Sequence, residues 1–527
     1  MNSILSVRDR ASGLLKAVGS LLLAKLSVIV ALSALALYLL TPTANYYWDG
    51  LAFALRIEQV GKHGQAESAL FHQNHLLYNA VCYLLYLIPR SLGLSIRALS
   101  VMQVASATSC AVGVSIFFAM ARRISGSKYL AVVASFLLAV STCWWKAATD
   151  ADAYSLSVAL VLVCAGTLLS KHPRWYLAGA SLAGAMLIHE LASLFYPAAL
   201  LLVLLSGRIG NRLRFALRLS VLAWGITIVS YYAVAVLIFG IGRPFDVIKW
   251  AASNPYRVQF SNPLSSLSTF SKYQLDLILG HGFKTFRLFG GAVEVSFAVV
   301  GVVAAVVAGL VTARRASFTE FAKSIWQVSP DLGDQWKRTM PGVLIWIGTY
   351  AMFLLTWEPY VLHYRVYYVP AVVLMSVLVL TNYRRRTHST PSGAAAFAVA
   401  ALFFFNLAFF IAPHMRAKSN LLVTAAKGAN EKWNEHTVIY YNASSPPDTA
   451  FQYFNERTEW RGATPKAIMR LDDEIRRVYD EGGTVWLNDA AAKAVDPVWL
   501  TTRARGEEIS VKLGDESYRY VQLLPTS

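Results

Sequence analysis

Asp49 stands in the run Tyr46-Tyr47-Trp48-Asp49-Gly50, directly after the first long apolar segment of the chain. Aromatic rings of this kind collect where lipid meets water, so the run sets a carboxylate at the outer boundary of a first crossing. A carboxylate there can take a proton from an incoming hydroxyl, the work of a general base. Capping the short helix that follows is the plainer alternative. His72 and His75, three apart, can share a helix face as hydrogen-bond donors, phosphate contacts or metal ligands. No third ligand of definite spacing joins them, so a divalent metal is allowed but not indicated, and no other cofactor is. Lys146, beside Trp144 and Trp145, can meet an anionic group. Asp150 and Asp152 could share acid-base or metal work, or cap the helix opening near Tyr154. His189-Glu190 forms a tight turn where Gly, Asn, Pro or Ser would be usual. Between Trp357 and Pro370, Glu358, His363 and Arg365 are crowded by aromatics. Arg365 offers a planar donor fork suited to phosphate, or a side chain that snorkels to the interface.

The elements that must position these groups are apolar. The chain has 527 residues, 56% hydrophobic and only 15% charged, with several runs near the roughly 20 residues that cross a bilayer. A net charge of +18 would suit nucleic acid, but its Lys and Arg residues lie mostly in short loops between apolar segments, where they set topology; no nucleic-acid partner is expected. The four cysteines, Cys82, Cys110, Cys143 and Cys164, all fall inside apolar segments and read as small buried hydrophobes. The first apolar run, about 18–40, follows a basic start and reads as an uncleaved anchor.

Apolar segments lie near 18–40, 76–96, 98–121, 129–145, 154–170, 175–188, 191–206, 216–239, 288–311, 339–357, 366–381 and 393–412. If all crossed, Arg122, Arg123 and Lys128, and later Arg314 and Arg315, would face outward, against the positive-inside bias. The segment 76–96, with Asn79, Pro89 and Arg90, is instead expected to lie along the outer interface. About eleven crossings remain, with the N-terminus in the cytoplasm. Asp49, His72, His75, Asp150, Asp152, His189, Glu190, Glu358, His363 and Arg365 then converge on the extracytoplasmic face. The outer stretch 240–287 reads as a basic lid and the inner loop 312–338 as an interfacial amphipathic helix. The expected fold is therefore mainly α, a polytopic membrane domain over 1–413 with juxtamembrane helices at about 50–97. A small soluble α/β domain follows over 414–527, with strands near 436–442 and 484–488, a helix over 464–481 and a closing hairpin over 509–524.

At these loops the sequence resembles the GT-C superfamily of membrane glycosyltransferases, most closely its protein O-mannosyltransferase-like branch. Asp49 matches an acid after the first helix, and His72 to Tyr78 stands where that branch has a histidine-proline stretch, without the prolines and glycine. Trp145, followed by Asp152-Ala153-Tyr154-Ser155-Leu156, is similar to a tryptophan followed by Glu-Val-Tyr-x-Leu, with Asp in place of Glu. Gly179 to His189 is similar to a small-residue helix ending in histidine, and Arg365 to Pro370 to an Arg-Tyr-x-x-x-Pro-like helix start. The resemblance implies a polyprenyl-phosphate sugar donor and a glycan, lipid or protein acceptor, with transfer by inversion on the outer face of a membrane such as the bacterial inner membrane. Asp49 would be its base, and Arg365, with Lys146 or His189, would meet the departing phosphate. The competing class is a transporter or flippase of a lipid-linked or anionic substrate. Against it, the sequence shows no inverted repeat and its polar residues gather at one face.

Overall fold

The computed structural model describes residues 25–63, 66–253, 263–280, 292–313, 323–324, 327–387, 392–442, 446–464, 470–495, 505–513 and 516–525. The start of the expected anchor, much of the helix expected over 312–338, and Arg257, Lys284 and Arg287 of the expected lid lie outside the described residues.

The helical part comprises α1 (Lys25–Leu40), α2 (Trp48–His63), α3 (Tyr78–Ser91), α4 (Ala98–Ser125), α5 (Lys128–Val140), α6 (Thr142–Thr149), α7 (Ala153–Leu168), α8 (Trp175–Ile188) and α9 (Tyr196–Leu204). It continues with α10 (Arg212–Leu237), α11 (Pro244–Ala252), α12 (Pro263–Lys272), α13 (Ala292–Ala313), α14 (Gly333–Thr356), α15 (Val369–Thr387) and α16 (Ser392–Asn406). Among the described residues four helices are long and apolar enough to cross a bilayer: α4, α10, α14 and the span Gly393–Met415. The pair α5 and α6, bent by 62°, makes a fifth if counted as one broken span. The outward face of α10, with Leu213, Leu217, Val221 and Ile228 exposed, is suited to lipid, and the chain is a multi-pass membrane protein.

Among the described residues, four such helices, or five with the bent pair, stand where eleven crossings were expected. Hydropathy counts apolar residues without regard to where a helix stops, and here polar residues stop several of them. Asp152 opens α7 by accepting the Tyr154 and Ser155 amides at 3.1 and 3.3 Å. His189 takes an extended backbone that ends α8, and Ser141 does the same at the α5–α6 bend. α7 and α8 are left at 10–17 residues, short of the roughly 20 that span hydrocarbon.

The C-terminal part forms helices α17 (Leu421–Gly428), α18 (Pro446–Phe454), α19 (Leu471–Asp480) and α20 (Asp489–Ala494) around a five-stranded sheet. Its strands β1 (Val438–Tyr441), β2 (Glu459–Gly462), β3 (Val485–Asn488), β4 (Arg505–Leu513) and β5 (Glu516–Leu523) run in the order β2-β1-β3-β5-β4. β1 is parallel to β2 and β3, whereas β5 is antiparallel to β3 and β4, giving a mixed sheet. Strand β2 is an addition to the sequence reading, which has only the other four. On α19, Leu471, Ile475 and Val478, spaced i, i+4 and i+7, are buried against the sheet core.

The C-terminal part is fused to the juxtamembrane helices. One apolar core runs from Leu51, Ala54 and Ile57 of α2 through Tyr78 and Cys82 of α3 into Phe451, Tyr453, Trp486 and Tyr520 of the sheet domain. At its edge the buried Glu58 carboxylate accepts from Arg97 Nε at 2.8 Å, the Ala98 amide at 2.8 Å and the Tyr453 hydroxyl at 3.3 Å. The first turn of α4 and the sheet domain are thereby tied to the helix that carries Asp49.

Candidate active site

Helix α2 begins where Tyr47 is held: its amide donates to Asp150 Oδ2 at 3.1 Å. A Cβ on Gly50 would overlap the Ala151 carbonyl, so a glycine is what lets α2 start against the Asp150–Asp152 loop. The buried face of α2 is fixed by Leu51, Ala54 and Ile57, and the opposite face projects Asp49, Ala52, Phe53 and Arg56, spaced i, i+3, i+4 and i+7. These four line a cavity of about 400 Å³ closed by His72 and His75, by Tyr154, by His189 and Glu190, and by Trp357, Glu358 and Tyr364. Segments far apart in sequence thus meet in one cavity with Asp49.

Burial raises the Asp49 carboxyl to about 6, against the pull of the His363 and Arg56 charges; Asp152 and Glu358 push it the same way as burial. An acid set there is a carboxylate at neutral pH yet basic enough to accept a proton. Burial also raises Glu190 and Glu358 above the usual carboxylate range. It lowers His72 to about 4 and His189 to about 3, and takes His75 well below the usual range, so at neutral pH these imidazoles are uncharged. His72 Nδ1 accepts the Asn74 amide at 3.3 Å and His189 Nδ1 accepts the Leu191 amide at 3.1 Å. In the neutral ring that leaves the proton on Nε2. The His75 and His189 rings meet at 4.4 Å, and His189 meets Tyr154 at 4.5 Å, so the histidines form one packed wall.

Of the residues marked in the sequence, Asp49, His72, His75, Tyr154, His189 and Glu190 line this cavity. His363 stands behind it, its ring 4.1 Å from Tyr47 and its Nδ1 3.6 Å from Asp152 Oδ2. Asp152 caps α7 with Oδ1, while Oδ2 is buried with no hydrogen-bond partner among the described residues. Lys146 is turned inward, paired with Asp150 and donating to the Asn45 carbonyl at 2.7 Å, so it secures the backbone before α2. Arg365 is fully buried and is not among the lining residues; it donates to the Tyr368 hydroxyl at 3.0 Å and to the Pro359 carbonyl. The cation that lines the cavity is Arg56, which sequence reading passed over although it lies two helical turns from Asp49 on one face. Glu358, also marked in the sequence, lines the cavity too, and Trp357 and Tyr364 are further lining residues outside the sequence-based set. Among the described residues, Asp150, Asp152 and His363 form a group able to hold a metal ion, their ligand atoms lying within 4.8 Å of one another. Lys146 already supplies a positive charge to one corner of it.

A second, apolar cavity of about 440 Å³ adjoins the first at Glu190, which lines both. It runs between Met186 of α8, Trp224, Thr227 and Ile228 of α10 and Val247 and Ile248 of α11. The Tyr231 hydroxyl, in its wall, donates to the Gln73 carbonyl at 2.5 Å and so ties it to the histidine turn.

In fold the chain is similar to solved structures that belong to the GT-C superfamily of membrane glycosyltransferases. One of them is ArnT from Cupriavidus metallidurans bound to undecaprenyl phosphate, at TM-score 0.57 and 13% identity over 94% of this chain and 97% of that one. The apo form of that protein matches at TM-score 0.50 and 13% identity, with the same coverage of both chains. The mycobacterial arabinofuranosyltransferase AftD matches at TM-score 0.44 and 13% identity, over 95% of this chain and 40% of that one. No protein-family model and no curated protein matches the sequence. The likeness is one of fold, and the narrower resemblance to the protein O-mannosyltransferase-like branch gains no support from it.

Proposed function

We propose that this chain is an integral-membrane glycosyltransferase that moves a sugar from a polyprenyl-phosphate donor to an acceptor hydroxyl at the extracytoplasmic face, with inversion at the anomeric carbon. The observation that carries the reading is the junction at Glu190 of a charged cavity and an apolar one, because a lipid-linked sugar is itself charged at one end and apolar at the other. The fold shared with ArnT, seen bound to undecaprenyl phosphate, agrees with it.

In this reading the isoprenoid tail lies along Trp224, Ile228 and Val247, and the sugar phosphate enters beside Arg56. The acceptor oxygen attacks the anomeric carbon as Asp49 takes its proton, and the bond from that carbon to the phosphate oxygen breaks. The phosphate keeps the electron pair and leaves as polyprenyl phosphate, its charge met by Arg56 and by the Nε2–H of His72. Arg365 contributes by gripping the Pro359 carbonyl, which sets the neighbouring Glu358 in the wall. The N-terminus is cytoplasmic and the sheet domain extracytoplasmic in this scheme, as in a bacterial inner membrane.

A polyprenyl phosphate carrying a photoactivatable group in its tail tests the reading. Crosslinks are expected on α10 and α11, between Trp224 and Ala251, with competition by unlabelled polyprenyl phosphate. Crosslinks confined to the other apolar cavity, lined by Leu137, Val377 and Leu402, would count against it.

A further inference from the structure

The end of the bundle away from Asp49 holds a cavity of a different character. It measures about 200 Å³ and is lined by Arg123 from the last turn of α4, Arg208 from the loop after α9, and Arg338, Asp334 and Gln335 from the first turns of α14. The distance is set by α4: its first residue, Ala98, donates to Glu58 on the Asp49 helix, and Arg123 follows about 25 residues later, roughly 38 Å along an α-helix. Basic residues at helix ends commonly fix orientation. What distinguishes this set is that three guanidinium groups, from three separate elements, face one cavity containing a single carboxylate, that of Asp334.

The groups are anchored. Arg123 Nη1 donates to the Gly166 carbonyl at 2.8 Å, and Arg208 Nη1 to the Leu169 and Ser170 carbonyls at 3.1 and 3.2 Å, so both grip the C-terminal end of α7. Each uses one nitrogen of its fork there. Arg338 pairs with Asp334 at 2.9 Å and lies against Gly207, where a Cβ would overlap its guanidinium. Ser206 and Gln335 add polar groups to the lining. Three like charges held together around a concave space, with one carboxylate among them, attract a small polyanion, and guanidinium groups match phosphate oxygens two at a time.

We infer that this cavity binds a phosphate group at the membrane face opposite Asp49. The phosphate comes either from the headgroup of an anionic phospholipid or from a free phosphate in solution. The site is independent of the transfer chemistry proposed above, but its neighbours are not remote from it. α4, α7 and α14 frame the arginines at one end, and their other ends meet the Asp49 helix, begin beside Tyr154 and lead to Trp357.

The test uses the full chain purified in a neutral detergent, as wild type and as Arg123→Gln/Arg208→Gln. In one arm, retention of phosphatidylglycerol is compared with that of phosphatidylcholine by native mass spectrometry; in the other, thermal unfolding is followed in inorganic phosphate and in chloride at equal ionic strength. Preferential retention of phosphatidylglycerol by the wild type, about tenfold weaker in the variant as expected for loss of a charge-assisted contact, assigns the site to a headgroup. A phosphate-specific upward shift of Tm in the wild type, absent from the variant, assigns it to free phosphate. Should the double variant not fold, Arg338→Gln is read in the same way. Equal behaviour of wild type and folded variant in both arms overturns the inference.

Discussion

The Arg97 guanidinium lies 4.1 Å from the centre of the Tyr453 ring, although the two residues are 356 apart in the chain. Arg97 also donates to the Tyr453 carbonyl at 2.7 Å and to Glu58 at 2.8 Å, so the sheet domain, α4 and the Asp49 helix share one polar fastening inside a common apolar core. The C-terminal domain is thus the back wall of the helix that presents the acid.

Replacing Glu58 by Ala strands the Ala98 amide, takes the carboxylate acceptor from the Tyr453 hydroxyl and leaves Arg97 with the Tyr453 carbonyl and Glu456. A loss of about 2 to 3 kcal/mol is expected, since Glu58 is buried while Arg97 is a third exposed and partly repaid by water. Tyr453→Phe should lose only about 1 kcal/mol. Thermal unfolding in detergent, with limited proteolysis reporting release of the sheet domain, checks both.

Lys146 and Asp150 are both buried, and the lysine has no second carboxylate beside it among the described salt bridges. Lys146→Met should therefore destabilise by about 3 to 5 kcal/mol, because it leaves an unpaired buried carboxylate. The double variant Lys146→Met/Asp150→Asn should recover most of that loss. A double-mutant cycle on Tm and denaturant midpoint measures the coupling, and additive effects would contradict the pairing.

Asp49 has its folded pKa raised from 3.8 to about 6. Activity that needs its carboxylate should fall as pH drops through about 6 and reach a plateau above it. The stability sign is opposite: a raised acid is best accommodated when protonated, and that contribution is lost as pH rises through about 6. Asp49→Asn should therefore be no less stable than the wild type at pH 7, which a pH series of melting curves checks.

Asp152 carries two tasks on its two oxygens, capping α7 with Oδ1 and facing His363 with Oδ2. Asp152→Ala should destabilise by about 1 to 2 kcal/mol through the lost cap. Asp152→Asn keeps an oxygen for the cap, so a drop in activity with stability preserved would separate the histidine contact from the structural one.

Much of the site was legible because its residues violate local rules. An acid in an aromatic frame at Asp49, a charged pair at the His189-Glu190 turn and histidines three apart at His72 and His75 all stand out in an apolar chain, and all line one cavity. Arg56 did not stand out, since an arginine on an amphipathic interfacial helix is ordinary, and only the packing of Leu51, Ala54 and Ile57 decides that it turns toward Asp49. Lys146 and Arg365 have the right chemistry at the right depth, but the short loops that hold them fold back on Asp150 and Pro359. The strands β1, β3 and β5 were readable from their apolar runs, whereas β2, Glu-Trp-Arg-Gly, has little strand character and exists by pairing with β1. The count of crossings failed where a single Ser, Asp or His breaks an apolar run.

The most direct measurement is a single-turnover assay of sugar release from polyprenyl-phosphate sugars with the purified chain and its Asp49→Asn variant, in the presence of a hydroxyl acceptor. Release by the wild type and a loss of at least about a hundredfold in the folded variant is the expected outcome, the usual size of a general-base contribution. Undiminished release by Asp49→Asn would contradict the placement of the base at Asp49.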